Sequence, residues 1–344
     1  MNNKNINDLD LKELEQVLTG WSEASFHAQQ IFSWIYKKGA KDFDQMSDLP
    51  LDLRRDLKAK FHLFSLKLID KIKSGDGTEK LLFALKDGNL VEAVTIPTEK
   101  RITGCISTQV GCKFGCRFCA SGMLGFKRSL ACGEMIEEAL CLKNNSFNKK
   151  LTHLVFMGIG EPLDNYDNVI GAIRIINSAY GLNIGARRIT ISTCGIIPGI
   201  KRLSGEALQV ELSISLHAAD DKIRSTLLPI NKKYPISELV AACRDYIQKT
   251  NRQVTFEYVL IKGINSDLPS AKNLSKILRN LNCKVNLIPA NPIKELKIEP
   301  PKKLEILLFK DYLLKSGIRV TLRRPRGQDI EAACGQLRLR HENK

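Results

Sequence analysis

The sequence predicts an α/β fold: parallel strands in a barrel or open sheet, helices outside, and a small helical module in front. Three observations lead there. From about residue 102, short apolar runs alternate with helical stretches, the pattern of repeated βα units. Before residue 64, apolar residues recur at helical spacing instead. Between the two lie a pair of strand-like runs joined by the turn KDGN.

The elements follow in order. Leu9, Leu11, Leu14 and Leu18 form one apolar set, Phe26, Ile31, Phe32, Ile35 and Tyr36 a second, and Leu53, Leu57 and Phe61 a third. Each set is the buried stripe of a short amphipathic helix, so residues 1–64 read as a helical module. KLLFAL and LVEAVTI then form a hairpin within 65–101. In 102–344 the strand-like runs are CISTQV, THLVFM, RRITIST, VELSISL, VTFEYVLI, KVNLI and IRVTL. GEMIEEALCLK, YDNVIGAIRIINSAY, PISELVAACRDYIQK, SAKNLSKILRNL and KKLEILLFKDYLLKSG are the helical stretches. IKELKIEPPKK, 293–303, is expected to be a long loop.

Composition narrows the class. A chain of 344 residues with 43% hydrophobic and 26% charged residues can bury a substantial core, with room for one large domain and an appendage. It has no run of about eighteen apolar residues. MNNKNINDLDLKELEQ has neither a basic n-region nor an apolar h-region, so the expectation is a cytoplasmic protein without a membrane span. The net charge of +16 makes a field that attracts polyanions, nucleic acid first among them. It concentrates at Arg187, Arg188, Lys201 and Arg202, and at Arg319, Arg323, Arg324, Arg326, Arg338 and Arg340. Aromatic residues are only 6%, so no base-stacking platform stands out.

Ten cysteines without an export signal argue against a disulfide scaffold. Cys112, Cys116 and Cys119 are spaced C-x3-C-x2-C in GCKFGCRFCASG. Three thiolates this close on a loop can converge on one soft metal centre. A cubane held by three cysteines leaves one iron open to a small molecule. A structural zinc site closes with four ligands, and Cys105 could supply the fourth. Only one C-x2-C pair exists, which favours the cluster.

Polar groups follow the strands at one rim, where ligands bind in parallel barrels. They are the cysteines, Gly160-Glu161, Ser192, Ser215-Leu216-His217 and Asn291. Each has a bland reading: GIGEP as a tight turn, the serines as strand ends, His217 as a structural histidine. Glu92 could be a solvent-facing strand residue. Cys334, in DIEAACGQL, has no cysteine near it and reads alone as a small buried hydrophobe.

C-x3-C-x2-C with Phe118 before the last cysteine resembles the signature of the radical S-adenosylmethionine (SAM) superfamily. That resemblance implies a partial (β/α)6 barrel. It also implies a [4Fe-4S] cluster on Cys112, Cys116 and Cys119, and SAM held by Gly160, Glu161, Ser192, Ser215, Leu216, His217 and Asn291. VEAVTIP, CISTQVGCKFGCRFCASG, MGIGEPLDN, RRITISTCGIIP, SISLHAADDKIRSTLLPINKKYPI, NLIPANP and GQDIEAACGQL resemble, in order, the dual-specificity ribosomal and transfer RNA adenine-C2 methyltransferases. The segment after Asn291 is short for that family.

The family resemblance implies methylation of adenine C2 in 23S rRNA near the peptidyl-transferase centre and in tRNA beside the anticodon. C2 is an electron-poor carbon without a lone pair, so polar attack on the SAM methyl group is closed to it. In the family's scheme Cys334 carries the methyl group and Cys105 resolves the adduct through a transient disulfide. Glu92 is then the proton acceptor. Two SAM molecules serve each turnover, and a flavodoxin- or ferredoxin-type protein supplies electrons to a monomer. Residues 1–64 become an accessory RNA-binding domain, 65–101 an extension carrying Glu92, and 102–344 the core with its C-terminal catalytic segment. The related C8 methyltransferases share the three cluster cysteines and both thiol positions, although GEPL and NLIPANP look more like the C2 group. A reading of another class is a zinc-containing RNA-binding protein without catalysis.

Overall fold

The computed structural model describes residues 3–123, 125–145, 150–291, 298–323 and 327. Cys334, Arg324, Arg326, Arg338 and Arg340 lie outside them, as do residues 293–297 of the expected loop at 293–303.

The N-terminal module packs three helices: α1 (Leu11–Gly20), α2 (His27–Phe32), continued as a π-helix over Ser33–Lys38, and α3 (Leu51–Lys60). Asp10 caps α1 in a capping box with Glu13, each side chain bonding the other's backbone N–H. Leu14, Leu18, Ile31, Phe32, Leu53 and Leu57 are buried, the apolar stripes read from the sequence. A small parallel pair, β1 (Lys4–Asn5) and β2 (Phe61–His62), ties the module's ends together. It is too short for any periodicity to announce it.

Strands β3 (Lys67–Lys73), β4 (Glu79–Ala84) and β5 (Leu90–Pro97) form an antiparallel meander. The chain continues through β6 (Ile102–Cys105) and the short β7 (Gln109–Gly111), α4 (Ala120–Met123) and β8 (Phe126–Ser129). The expected strand CISTQV is therefore broken. Its first residue ends β6, and β7 leaves the main sheet to pair with β8.

The βα units then alternate. They are α5 (Cys132–Asn145), β9 (His153–Phe156), α6 (Tyr166–Asn177), β10 (Ile189–Thr193), α7 (Ile197–Leu203), β11 (Glu211–Ser215) and α8 (Asp221–Leu227). After them come α9 (Ile236–Thr250), β12 (Val254–Leu260), α10 (Leu268–Ile277), β13 (Cys283–Pro289), α11 (Lys303–Lys315) and β14 (Arg319–Leu322). The main sheet has ten strands in the order β14-β13-β12-β11-β10-β9-β6-β5-β4-β3. From β6 to β14 every neighbour is parallel, and the meander extends the same sheet rather than standing apart from it. Among the described residues no helix is long and apolar enough to cross a membrane.

The two faces of this sheet differ. Ile191, Leu212, Ile214, Val254, Phe256, Val285 and Leu287 are almost wholly buried in the core. The alternate positions carry Thr190, Ser213, Thr255, Glu257, Lys284, Asn286 and Thr321, which line a cavity of about 530 Å³. Parallel strands covered on both faces usually read as unbroken apolar runs. Here ITIST, ELSIS and VTFEYVL alternate, so one face is built for contact with polar matter.

Glu137 of α5 docks the N-terminal module on the barrel. Its Oε1 accepts from Asn5 Nδ2 at 2.6 Å, and its Oε2 accepts from the N–H groups of Ser65 and Leu66, each at 2.7 Å. Glu137→Leu leaves these buried donors without an acceptor. It should lower unfolding stability by about 3 kcal/mol, measured by thermal denaturation. Glu137→Gln, which keeps one oxygen, should lose less.

Candidate active site

The cysteine loop hangs from a pinned neck. β7 and β8 pair at its base, and Cys112 N–H donates to Gly125 O at 3.1 Å. Gly111, at φ +81°, approaches so closely that a β-carbon would sit 1.6 Å from Gly125 O. Inside the loop, Cys119 N–H donates to Cys116 O and Arg117 N–H to Leu227 O. Phe114, Cys116 and Phe118 pack against a small apolar cluster of Cys194, Leu227, Leu228, Ile261, Ala290 and Ile298. Phe118, the aromatic residue before the last cysteine, thus also roots the loop in the barrel.

The donor set fits a cubane. Burial pushes the Cys112 thiol up to about 12 and the Cys116 thiol further. Ligation by a soft cation is what converts such thiols to thiolates. Three cysteines of one loop suit a cubane with an open iron, whereas a structural zinc site takes four ligands, and Cys105 ends β6 in the main sheet rather than standing on the loop.

Of the other rim residues, His217 meets the loop directly, and Glu161 reaches it through Cys194. Gly160, at φ +106°, lies where a β-carbon would meet Gln109 N and Thr108 Oγ1 at 2.7 Å, so the GIGEP turn seats on the start of β7. Buried Glu161 accepts from Cys194 N–H at 2.7 Å and Leu163 N–H at 3.0 Å, while burial raises its carboxyl above the usual range. Its side chain is thus a structural acceptor as well as an expected SAM contact. Ser192 sits beside Ser213 in the β10–β11 register, and Ser215 ends β11. Leu216 is fully buried. His217 has φ +57°, and its ring meets Phe118 edge-on at 4.6 Å. Its Nδ1 accepts from Val259 N–H at 3.0 Å, and burial, then the nearby Arg224 charge, pushes it down to about 3. Asn291 is exposed beyond the end of β13.

Cys105 and Glu92 share a face. Val94 lies opposite Cys105 across β5–β6, and cross-strand partners project to the same side. Glu92, two residues from Val94, projects there too. So does Val155, the β9 partner of Cys105, which lines the cavity. Glu92 is buried and ion-paired with buried Lys80, Oε2 to Nζ 2.8 Å. The alternative of a solvent-facing Glu92 is therefore overturned. Arg187 and Arg188 are exposed just before β10, at its opposite end from the rim.

Two residues of this region escaped the sequence reading. Ser107 Oγ donates to Glu92 O at 2.7 Å and accepts from Ile159 N–H at 3.1 Å, so it joins the ends of three strands. Arg224, wholly buried, donates to the carbonyls of Leu216 (3.1 Å), Cys194 (2.8 Å) and Ser215 (3.2 Å), and to Asn231 Oδ1 (2.7 Å). Its position within the quoted stretch SISLHAADDKIRSTLLPINKKYPI was the available signal.

Arg224→Met removes the buried hydrogen bonds to the carbonyls of Leu216, Ser215 and Cys194 and to Asn231 Oδ1. It should cost about 3 kcal/mol of stability and weaken SAM binding by roughly tenfold. Thermal unfolding and calorimetric titration with SAM measure the two effects.

The comparisons with known proteins agree along the chain. The radical SAM superfamily matches residues 106–270, and the ribosomal RNA large subunit methyltransferase N-terminal domain matches residues 4–63. The chain is 45% identical over 336 residues to a "Probable dual-specificity RNA methyltransferase RlmN" of Pelotomaculum thermopropionicum, covering 97% of this chain and 91% of that one. A protein of the same description from Clostridium novyi is 46% identical, covering 97% and 98%. A radical SAM methyltransferase from Sphaerobacter thermophilus superposes with a TM-score of 0.93 at 44% identity, covering 97% and 98%. With both domains matched and the relatives aligned nearly end to end, the chain belongs to the dual-specificity RNA methyltransferase family of the radical SAM superfamily.

Proposed function

We propose that this methyltransferase acts on C2 of adenine, in 23S rRNA near the peptidyl-transferase centre and in tRNA beside the anticodon, as a cytoplasmic monomer. The observation that carries this reading is the register placing Cys105 and Glu92 on the cavity face of the barrel. A resolving thiol and a proton acceptor are required together there.

Radical SAM membership implies a [4Fe-4S] cluster and SAM. Cys112, Cys116 and Cys119 would hold the cluster, which would supply one-electron reduction of SAM. Gly160, Glu161, Ser192, Ser215, Leu216, His217 and Asn291 hold SAM, and a flavodoxin- or ferredoxin-type protein delivers the electron.

The chain's own residues carry the transfer. Cys334 takes a methyl group from a first SAM by displacement. After a second SAM has been spent on removing one hydrogen atom from it, the Cys334 S–CH2 carbon adds to C2 of the adenine. Glu92 accepts the proton lost from C2, with Lys80 balancing its buried charge. The adduct's odd electron would return to the cluster; Cys105 then attacks the Cys334 sulfur, forming a disulfide as the S–CH2 bond breaks, and the released carbon takes a proton to complete the methyl group. Residues 1–64 serve as the accessory RNA-binding domain, 65–101 as the extension that presents Glu92, and 102–344 as the core.

Nucleoside analysis of RNA treated with the reconstituted enzyme should yield 2-methyladenosine. Finding 8-methyladenosine instead would replace the regiochemistry proposed here. Cys105→Ala should accumulate a covalent protein–RNA adduct, visible as a shifted band on denaturing gels, whereas Cys334→Ala should form neither adduct nor product.

A further inference from the structure

Strand β4 carries Lys80, a lysine with none of its surface exposed, and β5 carries Glu92, exposed by only 3%. Lysine and glutamate almost never lie this deep unless paired, and here Lys80 Nζ stands 2.8 Å from Glu92 Oε2. The hairpin register brings them together. Leu82 lies opposite Glu92 and Lys80 opposite Val94, so the lysine reaches the carboxylate along the diagonal. Val94 in turn faces Cys105. Lys80, Val94 and Cys105 thus form one row across three strands, on the sheet face that Ile96 and Val155 carry into the cavity.

Stability is a poor account of this pair. Desolvating two charges offsets much of their attraction, and well-packed apolar residues of similar volume often do as well. Leu81, Leu82, Phe83, Val91 and Ala93 beside the pair are apolar and buried, so the hairpin has such packing at hand. What the pair does supply is an ionised carboxylate. Burial favours the neutral form of a lone carboxyl, and a cation in contact with it restores the charged form. The titratable groups around Glu92 are Lys80 from β4, the Cys105 thiol on the same face from β6, and Glu138 from α5. Burial, with the Glu134 and Glu92 charges behind it, pushes the Glu138 carboxyl well above the usual range against a hydrogen bond from Ser107 N–H. Of the three groups, Lys80 brings the positive charge.

We infer that Lys80 is a positioning residue for the proton-removal step, its charge keeping Glu92 ionised and therefore competent as a base at neutral pH. The inference rests on the reading of Glu92 as acceptor of the C2 proton. A carboxyl that has already taken a proton from solvent cannot take that one. In the step itself the C2–H bond breaks, its electron pair stays with the adduct, and the proton goes to a Glu92 oxygen, while Lys80 remains an ammonium. Protonation of Glu92 leaves that buried ammonium without its counter-charge, which favours release of the proton before the next turnover. The proton-accepting unit is then the β4–β5 hairpin rather than one side chain of β5.

The pH dependence of kcat for methylated adenosine, measured on the cluster-loaded full chain, tests it. In Lys80→Met the rate at neutral pH should fall on the order of tenfold, and the pH at which activity rises should move up by about one unit or more. The sign follows from the base: without the cation, Glu92 stays protonated to higher pH. Lys80→Gln keeps a hydrogen-bond donor for the carboxylate but not the charge. It should show the same shift, and it carries the test where Lys80→Met fails to fold. The single-turnover burst of 5′-deoxyadenosine precedes proton loss, so it should keep its wild-type rate in both variants. A slowed burst, a rate lowered by one factor at every pH, or a wild-type pH profile overturns the inference. Glu92→Gln separates the two readings. If that variant is inactive, any of these negative results counts against Lys80 alone; if it turns over normally, the acceptor reading falls and the inference with it.

Discussion

The pairing of β5 with β6 is the joint on which the site depends. It is where an antiparallel meander meets a parallel sheet, and its register decides which side chains enter the cavity. A slip of one residue would turn Glu92, Val94 and Lys80 to the helix-covered face, because successive strand residues alternate sides. Ser107 reinforces the register by bonding the carbonyl of Glu92 from beyond the end of β6. The same serine holds Ile159 N–H, so the joint also sets the height of the Gly160-Glu161 turn. One alignment thereby positions a thiol, a carboxylate and a ligand-binding loop.

Around that joint the protein separates two kinds of contact. Apolar residues on the outer strand face pack under the helices and supply the burial that stabilises the fold. Polar residues on the inner face bond one another: Asn286 donates to Glu257 at 2.7 Å, and Thr321 donates to Asn286 at 2.9 Å. Burial raises the Glu257 carboxyl, while hydrogen bonds from Asn286 and Ser213 oppose that shift. A network satisfied in this way keeps the cavity polar without leaving orphaned groups. It gives the strands a wall that accepts a polar ligand and does not collapse.

Chemistry was more legible in the sequence than the scaffolding behind it. The cysteine triplet can be read because metal ligation demands one residue type at fixed spacing. Arg224 cannot be read that way, since it acts on backbone carbonyls, which every residue possesses. Lys80 was hidden because it faces Val94 across the hairpin and reaches Glu92 on the diagonal. Strands β10 to β14 were legible through their flanking turns, but CISTQV concealed a break, because Ile106 and Val110 are as apolar as true strand residues. Strand β3, with its exposed KLIDKIK, lacks the apolar face that marks a half-buried strand. Helices α7 and α8 span seven residues each, too few for a period to emerge.

The pinned neck of the cysteine loop bears on the order of assembly. β7, β8 and the Gly111–Gly125 contact close the neck of the loop through backbone, while Phe114, Cys116 and Phe118 root it in a small apolar cluster apart from the main core. The main core that stabilises the barrel includes none of the three cluster cysteines, unlike small metal domains in which ligation and folding are one event.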